Sequence, residues 1–244
     1  MSCRGRVEGV GKVTGLVAAF DALDAEWMTL LAIRARRSIA SWTADFDEMR
    51  EEQLALLERG QWRRGPDDVL EIIGRSRAEL VHSAMVGWLL DPLGHHGLGP
   101  RLLHRLLART QWKPGELSDV IVELEVSRVY VLPGMAGQCR VDVLVRSSQL
   151  TLVIENKIDA PESHRQCEAM FEAFQDEPGA VFVFLTPTGA RAESAGGLSA
   201  GKWQSVSYKT FAADLRTSLD EGDPHARARH VATDYLRTLG RLFP

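Results

Sequence analysis

Three charged residues, Asp142, Glu155 and Lys157, stand at spacings that could assemble a hydrolytic site. The stretch "TLVIENKIDA", Thr151 to Ala160, reads as a strand of β-prone residues running straight into Glu155, Asn156 and Lys157. Side chains alternate along a strand, so Val153, Glu155 and Lys157 share one face, and Leu152, Ile154 and Asn156 the other. Upstream, "CRVDVLVRS" puts Arg140, Asp142 and Leu144 on one face and Val141, Val143 and Val145 on the opposite one. If the turn near 147–150 pairs these two strands, Asp142 lies beside Glu155.

Two carboxylates held together in a partly dry site repel each other, and a shared proton or a divalent cation relieves the repulsion. Oxygen ligands favour Mg²⁺ or Mn²⁺ over zinc, and such ions keep places for water and a substrate phosphate. Lys157 could orient or deprotonate an attacking water and stabilise charge developing on phosphorus. The chemistry implied is metal-assisted phosphodiester hydrolysis. For Glu155 and Lys157 alone the competing reading is an exposed ion pair at a strand end, worth ~0–1 kcal/mol. Asp142 in register is what separates the two.

The elements that must position these residues follow from hydrophobic period. Apolar residues at helical spacing in "LVAAFDALDAEWMTLLAIRARR" and "DFDEMREEQLALLER" predict two amphipathic helices, broken at Trp42-Thr43 and by "GQWRRGPDD". A helix runs from about 67 to Leu90 with a break near Gly74; "DPLGHHGLGP" is a loop, and "RLLHRLLART" a short helix. From about 117 the period changes to two. "DVIVELEVSRVYVL", "CRVDVLVRS" and "QLTLVIENK" are consecutive strands, the first turn spanning "PGMAGQ". "ESHRQCEAMFEAFQD" returns to helical spacing, "AVFVFLT" reads as a strand buried on both faces, "WQSVSY" as another, and helices over about 209–220 and 225–242 close the chain. This order makes an α/β sandwich around a mixed sheet.

On these residues the sequence resembles the PD-(D/E)xK nuclease superfamily. It looks most like a bacterial branch reading E-x-x-x-S, LL-x-P, R-x-D, IENK-I and Q. Those elements are here Glu79 to Ser83, Leu89 to Pro92, Arg140 to Asp142, Ile154 to Ile158 and Gln166. The resemblance, which covers about 77–215, implies a restriction-endonuclease-like three-layer sandwich, a mixed central sheet flanked by helices, in a domain placed at 66–244; residues 1–65, which it does not reach, read as an extra helical N-terminal region. It further implies a Mg²⁺- or Mn²⁺-dependent nuclease. Asp142, Glu155 and the backbone carbonyl of Asn156 would ligate the metal, with Glu79 serving the same centre. Lys157 would position the nucleophile, and Gln166 support the site or touch the scissile strand. Related nucleases often continue Q-x-x-x-Y, but Met170 stands at that position.

Composition narrows the partners. Net charge is −4 with no basic tail, so the nucleic acid that the resemblance implies, DNA rather than RNA, would be gripped by local groups. Arg140 and the Arg63-Arg64 pair beside Trp62 are the candidates. No apolar run reaches the length of a membrane span, and the isolated Cys3, Cys139 and Cys167 suit a reduced, cytoplasmic setting. "GGLSAGKW" fits a phosphate-loop pattern only nominally, since Trp203 replaces the hydroxyl residue. Two rivals to the enzyme remain: a nuclease-fold binding or assembly module without turnover, and a partner-regulated effector in which residues 1–65 dock a partner or a second copy.

Overall fold

Parallel strands buried on both faces need apolar side chains on every position, and "AVFVFLT" supplies them in the fourth of five strands, which lie side by side in chain order. The computed structural model describes residues 8–61, 65–112, 117 and 119–244. The chain divides into two units, residues 1–65 and 66–244.

The second unit carries the sheet. Its strands are β1 (Ile121–Leu132), β2 (Met135–Arg146), β3 (Thr151–Asn156), β4 (Ala180–Thr186) and β5 (Trp203–Ser207). The first three are antiparallel neighbours, whereas β3, β4 and β5 run parallel. One face is covered by α3 (Glu79–Leu90), α4 (Arg101–Leu107), α6 (Tyr208–Glu221) and α7 (Ala226–Leu242), over a core that includes Val143, Leu152, Ile154 and Val183. The other is covered by α5 (Gln166–Phe174), which packs on Leu144, Val153, Phe182 and Phe184. Helix, sheet and helix form three layers, the mixed α/β sandwich expected for a restriction-endonuclease-like fold.

Three local expectations are corrected. The first turn is tighter than "PGMAGQ": Leu132 already pairs with Met135, leaving Pro133 and Gly134 as a two-residue loop, with Gly134 at φ +73°. The inner face of β2 is not continuous. Val143 and Val145 pack toward α3 and α4, but Val141 packs with Tyr130, Leu132 and Cys139 on the α5 side. The break falls at Asp142, whose position in the β1–β2 register faces Glu125, a non-glycine residue at φ +55°. A left-handed residue re-aims its strand as a bulge does, and such features concentrate beside active sites.

The third correction concerns the first unit. Rather than two helices it is one, α1 (Glu8–Glu58), which passes Trp42-Thr43 without a break. The Thr43 hydroxyl donates to the Ile39 carbonyl at 2.8 Å and so does not compete with the helix for backbone partners. The helix ends where Gly60, at φ +67°, lets the Gln61 N–H reach the Leu56 carbonyl at 2.8 Å and its own N–H reach Leu57 at 2.9 Å.

The start of the second unit is clamped to its end. Asp68 caps the short helix α2 (Val69–Ile72) by accepting from the Glu71 N–H at 2.9 Å. It also accepts from the Thr238 hydroxyl at 2.7 Å and from Arg241 at 2.8 Å. Burial alone would raise its pKa, but the bonds from Thr238, Arg241 and Glu71 outweigh that and hold it below the usual value. A lowered folded pKa stabilises above the unfolded pKa and loses that contribution as pH falls through the folded one. Asp68→Ala is therefore expected to cost about 2 kcal/mol at neutral pH. In denaturant melts the deficit should shrink below about pH 4.

Candidate active site

The β2–β3 register, set by the pairs Val143 with Ile154 and Leu144 with Val153, places Asp142 opposite Glu155 one step further on. Continuing outward, Glu125 faces Asp142 from β1, so three carboxylates stand in one row across three strands. Glu155 is 1% exposed. Its Oε1 accepts from Gln166 Nε2 at 2.6 Å and from Lys157 Nζ at 2.8 Å, while its Oε2 is buried with no hydrogen-bond partner. Asp142 is half-buried and accepts the Asn156 N–H at 2.8 Å on Oδ2.

The electrostatics follow from these contacts. Burial, then the charge of Asp142, pushes the Glu155 pKa up to about 8 against the pull of Lys157. Burial pushes Asp142 up to about 6; the Asn156 N–H and Lys157 oppose the rise, and Glu125 and Glu79 add to it. For Lys157, burial works against its charge, but Glu155, Glu79 and Asp142 outweigh it and hold its pKa above the ordinary value. One ammonium thus faces more negative charge than it can balance. A donor set of hard oxygens with a buried, unpartnered carboxylate oxygen fits a divalent cation of the Mg²⁺ or Mn²⁺ type.

Each helix layer anchors this pair differently. From the α3 side, Asn156 turns its side chain away from Glu155. It donates to the Glu79 carbonyl at 3.1 Å and to Ser83 Oγ at 3.0 Å, and accepts from the Tyr208 hydroxyl at 2.7 Å. Glu79 and Ser83, four residues apart on one helix face, therefore meet β3 through a buried amide. The Glu79 side chain does a second job. Its Oε1 accepts the N–H groups of Ile158, Asp159 and Ala160 at 2.8, 3.3 and 3.2 Å, fixing the loop that follows Lys157. Among the described residues no donor meets its Oε2. An Arg77–Asp159 ion pair ties the same loop to the start of α3. From the other layer, Gln166 opens α5 just after Arg165, which is left-handed at φ +54°. Its Oε1 accepts from the Ser163 N–H at 3.0 Å, which turns the amide's NH₂ toward Glu155.

Glu79, Asp142, Glu155, Lys157 and Gln166 line a cleft of about 350 Å³ together with Arg140, Gln138, Tyr130, His164 and Met170. Lys157, Ser163 and His164 also line a second hollow of about 570 Å³ that runs toward Arg191. Both open past the carboxyl end of β3, where open α/β sheets bind ligands. Met170 is buried in the α5 core, at the position where related nucleases often carry a tyrosine. Arg140 is well exposed at the cleft rim and pairs with Glu125 at 3.0 Å. Arg63 and Arg64 lie outside the described residues.

Two features were not singled out from sequence. Glu125 needed the two-residue Pro133-Gly134 turn, which fixes its partner as Asp142; the wider turn hides that pairing. An acidic group of Asp67, Asp68 and Glu71 also has its oxygens close together. Arg241 bonds both Asp68 and Glu71, so this cluster serves the clamp described above.

A family model described as the PD-(D/E)XK nuclease superfamily matches residues 67–237. No curated protein and no solved structure matches the chain.

Raised folded pKa values mean that Asp142 and Glu155 hold protons longer in the native state than in the unfolded chain. The contribution of this pair to metal-free stability should then fall as pH rises from about 4 toward 8. Scanning fluorimetry without metal is expected to show the wild type losing Tm relative to Glu155→Gln as the pH is raised from about 5.5 to 8. Millimolar Mn²⁺ should raise the Tm most at pH 8 in the wild type and not in Glu155→Gln.

Proposed function

We propose, on the footing that this chain belongs to the PD-(D/E)XK nuclease superfamily, that it is a divalent-metal-dependent nuclease hydrolysing phosphodiester bonds of nucleic acid. The observation that carries this reading is the buried Glu155, unpartnered at Oε2 and in register with Asp142 beside a protonated Lys157. A fold scaffold gains nothing from clustered, incompletely paired buried charge, which costs stability unless a ligand compensates it. That reasoning disfavours a binding module that keeps the fold without turnover.

A Mg²⁺ or Mn²⁺ held by Asp142, Glu155 and the Asn156 carbonyl, with Glu79 beside them, would supply Lewis-acid activation of the phosphodiester and its nucleophile. The chain's own groups do the rest. Gln166 and Lys157 hold Glu155 by Oε1, which leaves Oε2 free to meet a ligand. The Asn156 N–H fixes Asp142 by Oδ2 in the same way. Lys157 is held protonated beside the two carboxylates in the metal-free site, and as a donor it would orient the attacking water and stabilise phosphoryl charge. Glu79 keeps the loop after Lys157 in place through three backbone N–H groups.

DNA is the proposed substrate in preference to RNA, by analogy with the superfamily. Arg140, His164 and Arg191 along the two hollows are positioned to meet its phosphates. No helix among the described residues is long and apolar enough to cross a membrane. Action in the bacterial cytoplasm, in defence against foreign DNA or in genome maintenance, completes the proposal.

Purified protein should cut plasmid, linear or single-stranded DNA when Mg²⁺ or Mn²⁺ is supplied and stop when it is chelated. Lys157→Ala and Asp142→Ala are expected to lower the rate at least about 10²-fold, the loss typical of removing a transition-state donor. Unchanged cutting in both variants would place the chemistry elsewhere. Running RNA of the same sequence alongside tests the substrate preference.

A further inference from the structure

The helix α1 has 51 residues, which at 1.5 Å per residue is about 76 Å long. Isolated helices gain little stability from propensity, and most rely on burying an apolar face. Within the first unit that face is uncovered: Leu16, Phe20, Trp27, Trp42 and Phe46 are between 59% and 69% exposed. Most of the exposed apolar residues follow one pattern, with Val17, Met28, Leu31, Ile33 and Leu54 beside it. Leu16, Phe20, Leu23, Trp27 and Leu30 recur at spacings of four and three, as do Ile39, Trp42, Phe46 and Met49, continued by the half-buried Gln53 and Leu56, at three and four. These are the a and d positions of heptads, the seam of a coiled coil. The two runs are out of phase by two residues, and Arg34, Arg36 and Arg37 fall in the gap between them.

We infer that α1 is a self-association arm that pairs in parallel, in register, with α1 of a second copy of this chain. Three observations choose this occupant. Counting from Phe46 as a, Asp45 is a g position and Arg50 the e position of the next heptad, the two that meet across a parallel seam with opposite charge. An antiparallel pairing of the same run sets g against g, Asp45 and Glu52, acid facing acid. Second, Phe46, Met49, Arg50, Glu52, Gln53 and Leu56 border a concavity on the surface of α1. Among them Met49, Glu52, Gln53 and Leu56 are the d, g, a and d residues that form the hole for an a-position knob of a parallel partner. The knob at that height is Gln53 of the other copy, a polar a residue of the kind that fixes register. Third, the phase shift at 31–38 lies at the same height in every parallel copy, so each run faces its own counterpart. The seam and its flanking positions make roughly 20 residues per copy, within the range of a stable interface.

The test is the mass of the full chain in solution, which does not depend on whether it cuts nucleic acid. Light scattering at about 10 µM should give at least twice the 27.0 kDa of one chain. The double variant Leu23→Glu/Phe46→Glu should run as a single chain while keeping the thermal transition of the second unit. Asp45→Arg should weaken assembly, and Asp45→Arg/Arg50→Asp should restore it. A wild-type chain of 27 kDa, or a seam variant that keeps the larger mass, overturns the inference. Assembly indifferent to both charge variants overturns the parallel register.

Discussion

Everything near the cleft answers to one repulsion, that between Asp142 and Glu155 across neighbouring strands. A pleated sheet cannot move directly opposed side chains apart without breaking its ladder. Burial strengthens the repulsion, because it removes the water that would screen it. Lys157 offsets part of it and Gln166 contributes a neutral donor, yet one oxygen of Glu155 is still unpartnered. A protein that places charge this way either keeps a proton there or takes up a cation.

The three layers converge on that spot for a reason of construction. The last residues of β3 point alternately to the two helix layers, so each layer can hold one of them. Glu155 is held by α5 through Gln166, and Asn156 by α3 and α6 through Glu79, Ser83 and Tyr208. A shift of α3 would move Asn156, whose N–H holds Asp142, and so disturb the carboxylate pair without touching it. Glu125 adds a third acid to the row, and its left-handed backbone marks where β1 and β2 bend around the site.

Much of this was legible in the sequence, and the reasons for the exceptions are specific. The period-two runs located the strands, and alternation set Glu155 and Lys157 to one face; that Asp142 joins them rests on the hairpin register, since a slip of one residue would turn it away. Short-range pattern could not reveal that β2 changes face at Asp142, since that depends on the backbone of Glu125 in another strand. Nor could it show the Asn156 side chain as an anchor: the residue reads as part of a metal motif, whereas its amide bonds come from helices that lie 73 or more residues upstream and 52 downstream. Trp42-Thr43 reads as a break because both residues are mediocre helix formers, but the cost of two such residues is small against a helix of this length.

The most direct test of a metal-centred site is diffraction from a crystal soaked in Mn²⁺, with anomalous difference density located. A peak between Asp142 and Glu155, at about 2.0–2.2 Å from a carboxylate oxygen of each, is the expected result. A peak at Asp67, Asp68 and Glu71 with none between Asp142 and Glu155 would contradict it.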